Sequence, residues 1–148
     1  MSRITNYSQF YLSSDDFQSV VVQDVNELSS CISNARTKKQ RLRYIGSSHS
    51  LSPCNIPRDN EIALSFPTSN SFTFIDDSTI RVSASAQLWS LQHSLSSHGL
   101  ELPVINGGQA SPTVGGFISA GGIGKSEPGK DMLLGRSCAY GGFWENVS

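Results

Sequence analysis

The residues best suited to chemistry stand in one short run that follows an apolar stretch: Gly46, Ser47, Ser48, His49, Ser50 and Leu51. Small residues at these positions allow the backbone to turn sharply and to direct several N–H groups toward one point. A concavity of that kind binds phosphate. The run, called here the serine-histidine loop, is therefore predicted to bind an anion, with the imidazole of His49 at its edge.

A second unusual segment, residues 106–124, is rich in glycine: Gly107, Gly108, Gly115, Gly116, Gly121, Gly122 and Gly124. A segment this rich in glycine loses more conformational entropy on folding and has fewer side chains to pack. Such a segment is therefore expected where φ must be positive or where a large group lies against the main chain. A flat ring system on the backbone would supply that reason, and a mobile surface loop is the alternative. Val114, Phe117 and Ile118 favour the ring system because they give the segment an apolar side.

Together the two segments resemble the cofactor-binding loops of the vanillyl-alcohol-oxidase-type flavoproteins, which have a PCMH-type FAD-binding domain. In that family a strand, a Gly/Ser-rich turn and Gly-His-Ser hold the FAD pyrophosphate, and a segment similar to residues 112–124 forms the other half of the site. The likeness runs from about Val20 to the end and is strongest to sugar oxidases, sugar-lactone oxidases and cytokinin-dehydrogenase-like proteins. It implies an α+β fold, with a strand-helix-strand subdomain followed by a mixed or antiparallel sheet with helices.

The resemblance implies FAD as the cofactor and two groups of binding residues. The first would surround the pyrophosphate and the dimethylbenzene edge of the flavin: Gly46, Ser47, Ser48, His49, Ser50 and Leu51. The second would contact the flavin through amide groups and hydroxyls: Gly108, Thr113, Gly116, Ala120, Gly121, Gly122 and Ile123. No catalytic residue and no metal ligand is predicted in the chain itself.

His49 carries the most specific implication of the resemblance. In relatives with this pattern the histidine is commonly bonded to the 8α-methyl carbon of the flavin, which fixes the ring and raises its redox potential. A histidine that only hydrogen-bonds the loop or the cofactor is the alternative. Ser48 departs from the glycine that usually precedes this histidine. Ser111 replaces the cysteine that forms a second bond in some relatives, so any covalent bond is expected to be single.

The activity implied is that of a flavin-dependent oxidoreductase, in which an alcohol, sugar or amine substrate gives a hydride to flavin N5. In the family a second domain supplies the base and the substrate-binding groups. Residues 142–147 resemble only the approach to a further strand of the flavin domain. We therefore expect an incomplete, N-terminal part of a longer enzyme, which is not catalytic alone.

Two other functions stay open. The first is a non-catalytic remnant or interaction module of the same fold. The second is a P-loop-like nucleotide-binding protein, suggested by Gly-Gly-Ile-Gly-Lys-Ser at residues 121–126. The P-loop is disfavoured because Pro128-Gly129 predicts a turn where a helix should follow.

Local patterns predict the elements that position these segments. Strands are expected at residues 20–22, 42–45, 62–66, 72–75 and 79–83, with helices from Asp24 to about residue 39 and from Leu88 to Gly99. Asp24 and Glu27 form a capping box for the first helix. The basic residues after that helix, Arg41 and Arg43 included, are interpreted as its solvated end. Residues 1–19 are interpreted as a polar N-terminal arm and residues 20–148 as the FAD-binding domain.

Composition limits the remaining classes of function. A chain of 148 residues is long enough for one domain with a core. Eleven basic residues against twelve acidic ones, without a charged block, give nucleic acid no electrostatic footprint. Cys31, Cys54 and Cys138 have neither disulfide-framework nor metal-site spacing and are interpreted as reduced thiols, with Cys54 in packing.

The first residues, Met1 to Tyr7, are polar and lack the apolar core typical of a signal peptide, and no later run is apolar enough to span a bilayer. We therefore expect a cytoplasmic protein with no membrane partner and no nucleic-acid partner. A small-molecule substrate is expected if a substrate domain exists, and the oligomeric state is left open.

Overall fold

The computed structural model describes residues 4–102, 105–106, 111–122 and 124–125. These residues divide into two compact units, with the boundary between Thr68 and Ser69. The serine-histidine loop belongs to the first unit, and the described part of the glycine-rich segment belongs to the second. Gly108 and Ile123, two of the predicted flavin contacts, lie outside the described residues, as does Cys138.

The first unit is built on a parallel sheet of three strands: β1 (Phe17–Val21), β2 (Leu42–Tyr44) and β3 (Glu61–Ser65). The strand order is β1-β3-β2, so β3 is central and its first four residues are buried. β1 begins three residues before the predicted β-branched run, at Phe17, whose side chain is buried. The helix α1 (Val25–Thr37) connects β1 to β2. The predicted strand-helix-strand opening is therefore confirmed.

The beginning of α1 is fixed by the capping pair read from the sequence. The Asp24 carboxylate accepts a hydrogen bond from the Glu27 amide at 2.9 Å, and the Glu27 carboxylate accepts one from the Gln23 amide at 2.7 Å. Glu27 therefore reaches one residue further back than the usual capping box, which returns to the cap residue itself.

The end of α1 is a Schellman motif. The Lys39 amide donates to the Arg36 carbonyl at 3.1 Å, and the Gln40 amide donates to the Ala35 carbonyl at 2.8 Å. This pattern requires a left-handed residue, which is usually glycine, and Lys39 takes that role with φ of 54°. A side chain with a Cβ is strained in that conformation.

The second unit contains a hairpin, two helices and a short strand pair: β4 (Phe72–Phe74), β5 (Ile80–Val82), α2 (Leu88–Ser96), β6 (Ile105–Asn106), α3 (Val114–Ser119) and β7 (Gly124–Lys125). β4 and β5 are antiparallel, and their turn is closed by the Asp76 carboxylate, which accepts from the Ser78 amide at 2.8 Å. Both the predicted hairpin and the predicted helix α2 are confirmed. The core joins the two helices and includes Ala86, Leu88, Leu91, Leu95, Val114, Phe117 and Ile118.

The P-loop interpretation is wrong. Gly124 and Lys125 lie in β7, which pairs antiparallel with β6, so that Lys125 is opposite Ile105. A P-loop instead places its lysine where a helix begins, so that the first helical amides and the lysine reach the same phosphates. The two units together give the α+β architecture that the resemblance implied. None of the helices in the described ranges is long and apolar enough to cross a bilayer.

Replacing Lys39 by glycine is expected to raise the free energy of unfolding by about 0.5–1 kcal/mol. The substitution relieves a left-handed strain of about 1–2 kcal/mol, which the greater flexibility of glycine in the unfolded chain partly offsets. Lys38→Gly is the matched control, because Lys38 is right-handed with φ of −84°. Urea denaturation should show the control less stable than the wild type, and a loss of stability in both variants would contradict the assignment.

Candidate functional site

The serine-histidine loop begins at the carboxyl end of β2. The last bond of the sheet on this side joins the Ile45 amide to the Leu64 carbonyl at 2.8 Å, and the chain leaves the sheet at Gly46. Ligands of open parallel sheets bind outside the carboxyl ends of the strands. The loop therefore lies at the edge of the sheet where a ligand is expected.

The backbone amides of the loop are free. Among the described residues, none accepts a hydrogen bond from the N–H groups of residues 46–51. Ser48 has φ of 57°, a left-handed conformation. Left-handed residues within a turn direct successive amides into one concavity, which is an anion-binding geometry. These six positions are the first group of predicted FAD-binding residues.

The side chains of the loop add neutral donors. Ser47, Ser48 and His49 are half-buried, and within the described part of the chain their polar side-chain atoms make no hydrogen bond. No carboxylate occurs between Gly46 and Asn55. A phosphate at this loop would therefore meet amides, hydroxyls and an imidazole without a repelling charge on the loop itself.

Residues 4–13, called here the arm turn, hold one side of the loop. The Asn6 side-chain amide donates to the Leu51 carbonyl at 2.8 Å, and the Tyr7 backbone amide donates to the Ser50 carbonyl at 3.1 Å. Asn6 is only 2% exposed. Both bonds use loop carbonyls, so they fix the loop and leave its amides available.

Arg43, on the strand that leads into the loop, is held by Glu61 and bonds the segment that follows the loop. Its guanidinium forms a two-pronged ion pair with Glu61, with Nε–Oε2 at 2.8 Å and Nη2–Oε1 at 3.1 Å, and its Nη1 donates to the Cys54 carbonyl at 3.3 Å. The bond from Arg43, together with one from the Arg58 amide, lowers the pKa of Glu61. The interpretation of Arg43 as part of a solvated helix end is wrong, because Arg43 lies in β2 and its charge is paired.

Cys54 and Asn55 follow the loop, and the packing role predicted for Cys54 is wrong. Cys54 is exposed rather than packed, and hydrogen bonds from Ser50 and Ser52 lower the pKa of its thiol.

Asn55 is 8% exposed, and neither atom of its side-chain amide has a partner among the described residues. A buried amide without partners is costly, so it is a candidate to bind a group that enters the site. No pattern in the sequence could have identified Asn55.

Four described residues of the second predicted group, Gly116, Ala120, Gly121 and Gly122, differ from the loop because their amides already donate hydrogen bonds. Thr113 is buried and caps α3, its hydroxyl oxygen accepting from the Gly116 amide at 3.1 Å. The amides that follow also donate within the unit: Val114 to Ala86, Gly115 to Ala84, Ala120 to Gly116, Gly121 to Ile118 and Gly122 to Phe117. The predicted flavin contacts of this group stay predictions, and in this conformation a flavin would meet backbone surface there rather than free donors.

The fold itself accounts for several glycines of this segment. A Cβ at Gly115 would lie 3.1 Å from the Ala84 carbonyl oxygen, and one at Gly122 would collide with the Phe117 ring. Gly121 is left-handed, with φ of 62°, at the end of α3. The ring system inferred from glycine density is therefore not needed to explain these residues. The predicted apolar side is confirmed, since Val114 and Phe117 are buried.

Ser111 stands where some relatives carry a second flavin-bonding cysteine. Its hydroxyl accepts a hydrogen bond from the Trp89 amide, at 3.3 Å, in the first turn of α2. The N-cap residue of α2, Gln87, makes no side-chain capping bond. Ser111 therefore supplies an acceptor for the beginning of this helix.

Amides that have no acceptor among the described residues, with hydroxyls and no carboxylate beside them, have the chemistry that phosphate binding requires. A family model described as "FAD binding domain" matches residues 18–140. The chain belongs to this FAD-binding family, and FAD is its cofactor. The serine-histidine loop fits the pyrophosphate of that cofactor.

Solved structures that share this fold include cholesterol oxidases. A structure of the enzyme from Brevibacterium sterolicum has a TM-score of 0.67 at 13% identity, over 81% of this chain and 23% of that one. A histidine-to-alanine mutant of it has a TM-score of 0.66 at 13% identity, over 81% and 24%. A solvent-stable cholesterol oxidase has a TM-score of 0.69 at 18% identity, over 82% and 24%. The chain thus spans about a quarter of the length of these neighbours. No curated protein matched the sequence.

The Arg43–Glu61 pair predicts how stability depends on pH. Because the pKa of Glu61 is lowered by folding, the pair stabilises the fold above the pKa of a free glutamate, about 4.3, and this contribution is lost as the pH falls through the lower folded value. Glu61→Gln is expected to cost about 1–3 kcal/mol at pH 7. Urea denaturation between pH 7 and pH 3 should show a smaller loss on acidification for this variant than for the wild type.

Glu101→Gln is the matched control, because Glu101 is exposed and has no ion pair among the described residues. Its stability should follow the wild-type pH profile. An unchanged acid dependence in the Glu61→Gln variant would contradict the role given to the pair.

Proposed function

We propose that this chain is the FAD-binding part of a flavin-dependent oxidoreductase that oxidises an alcohol, sugar or amine substrate. The observation that carries the proposal is the run of free amides at residues 46–51, which stands at the carboxyl edge of a parallel sheet. The oxidase names of the structural neighbours and the family match support the reaction class. When bound, FAD supplies the hydride acceptor at its N5 atom.

The residues of the chain hold and orient this cofactor. The amides of residues 46–51 and the hydroxyls of Ser47 and Ser48 donate to the pyrophosphate oxygens. Charge-assisted hydrogen bonds of this kind are about twice as strong as neutral ones. The contacts of the arm turn keep the loop in place, which reduces the conformational entropy that the loop loses on binding.

His49 is the residue proposed to bond covalently to the flavin. Its ring nitrogens have no hydrogen-bond partner among the described residues, so either is available for attachment. The bond would replace one hydrogen of the 8α-methyl group by an imidazole nitrogen of His49 and would hold the ring in place, and dioxygen would take up the two electrons and two protons released. With serine at position 111, a thioether cannot form there, so the bond is single.

The loop contacts are tested by NMR with FAD added to the His49→Ala variant, in which this bond cannot form. The amide resonances of residues 46–51 are expected to shift on titration, because their protons gain phosphate acceptors. The amides of residues 114–117 should shift less, because they already donate within the second unit. FAD binding without a response in the loop would contradict the placement of the pyrophosphate.

The covalent bond is tested by acid precipitation of protein purified with its flavin. The wild-type pellet is expected to stay yellow, whereas the His49→Ala variant should release its flavin to the supernatant. His93→Ala is the control, because His93 is exposed on α2 and should leave attachment unchanged. Acid-stable flavin in the His49→Ala variant would contradict attachment at His49. Colourless wild-type protein that takes up no FAD would favour a non-catalytic interaction module.

A further inference from the structure

The arm turn lies outside the segment that the family model matches, yet it contacts the serine-histidine loop. The family match begins at residue 18, whereas the arm turn comprises residues 4–13. The turn is closed by its own bonds, since the Ser13 amide donates to the Ile4 carbonyl at 2.8 Å and the Ile4 amide donates to the Ser13 hydroxyl at 3.0 Å. It is therefore a structured addition to the matched domain.

Asn6 anchors the turn to the loop. Its side-chain amide donates to the Leu51 carbonyl at 2.8 Å, while its carbonyl oxygen accepts from the Ser8 hydroxyl at 3.1 Å and the Tyr11 amide at 3.4 Å. The side chain is thus bonded on both sides and almost fully buried. A buried amide with these bonds fixes the turn rigidly against the loop.

Tyr7 is the residue of the turn that reaches His49. The centres of the two rings are 5.8 Å apart and the ring planes meet at 61°, an edge-to-face arrangement. Tyr7 is 57% exposed, so burial does not determine the position of its ring. The edge-to-face contact and the bond from the Tyr7 amide to the Ser50 carbonyl determine it instead.

We propose that the arm turn is part of the FAD site, with Tyr7 as a positioning residue for His49 and for the loop around it. The inference rests on the proposed function. A loop whose amides have no internal acceptors loses conformational entropy when it closes on a ligand. The arm turn reduces that loss because it holds His49 and the Ser50 carbonyl in place before the cofactor arrives.

The test uses apoprotein from cells starved of riboflavin and an FAD analogue without the 8-methyl group, which binds reversibly whether or not the natural bond forms. Tyr7→Ala is expected to raise the dissociation constant about tenfold, because it removes the ring that orients His49. Tyr7→Phe keeps the ring and should stay within about twofold of the wild type. Tyr11→Ala is the matched control: Tyr11 is also exposed on the turn, but its ring contacts no other ring in the described residues.

A second measurement separates positioning from a general effect on folding. In the apoprotein, the NMR signals of the His49 ring protons should move in Tyr7→Ala but not in Tyr7→Phe, because the ring current of Tyr7 is lost only in the first. The urea midpoint should be unchanged in both. Equal affinity of Tyr7→Ala and wild type, or equal weakening by Tyr11→Ala, would overturn the inference. Wild-type protein that does not bind the analogue would overturn the proposed function instead.

Discussion

The site depends on an imbalance between hydrogen-bond donors and acceptors in one loop. Among the described residues, the groups that bond the backbone of residues 46–51 are donors: the Asn6 side chain donates to the Leu51 carbonyl and the Tyr7 amide to the Ser50 carbonyl. The amides of residues 46–51 have no hydrogen-bond acceptor among the described residues. Because a ligand that covers these amides removes their water, it must supply acceptors in place of that water. A pyrophosphate meets that requirement.

The backbone amides of the two glycine- or serine-rich segments differ in their hydrogen bonding. In the first unit, small residues keep amides free and accessible. In the second, the amides between Val114 and Gly122 bond within the unit, and Gly115 and Gly122 are required by close contacts with Ala84 and Phe117. A high density of glycine therefore does not by itself identify a ligand. It shows only that something lies close to the backbone, and in α3 the close neighbours belong to the protein itself.

Local chemistry was sufficient to predict much of the fold. The β-branched strand, the Asp24–Glu27 cap and the turn at Asp76 depend on residues a few positions apart, and the structure has all three. Other features depend on residues that are far apart in the sequence, which no local pattern can predict. They are the contact of the arm turn with the loop, the Arg43–Glu61 pair and the lack of a partner for the Asn55 side chain among the described residues. Asn6 and Leu51, for example, are 45 residues apart. The loop was found from its sequence, but the contacts that hold it were not.

Ser48 shows how the site balances strain against binding. A left-handed residue with a Cβ costs about 1–2 kcal/mol relative to glycine, and strain of this kind persists where the surrounding structure enforces it. Here the enforcement comes from both sides, since β2 fixes the chain up to Ile45 and the arm turn fixes it from Ser50 onward. In return, serine adds a hydroxyl donor between two free amides. The position that favours glycine for backbone geometry therefore also offers a side-chain donor to the proposed phosphate site.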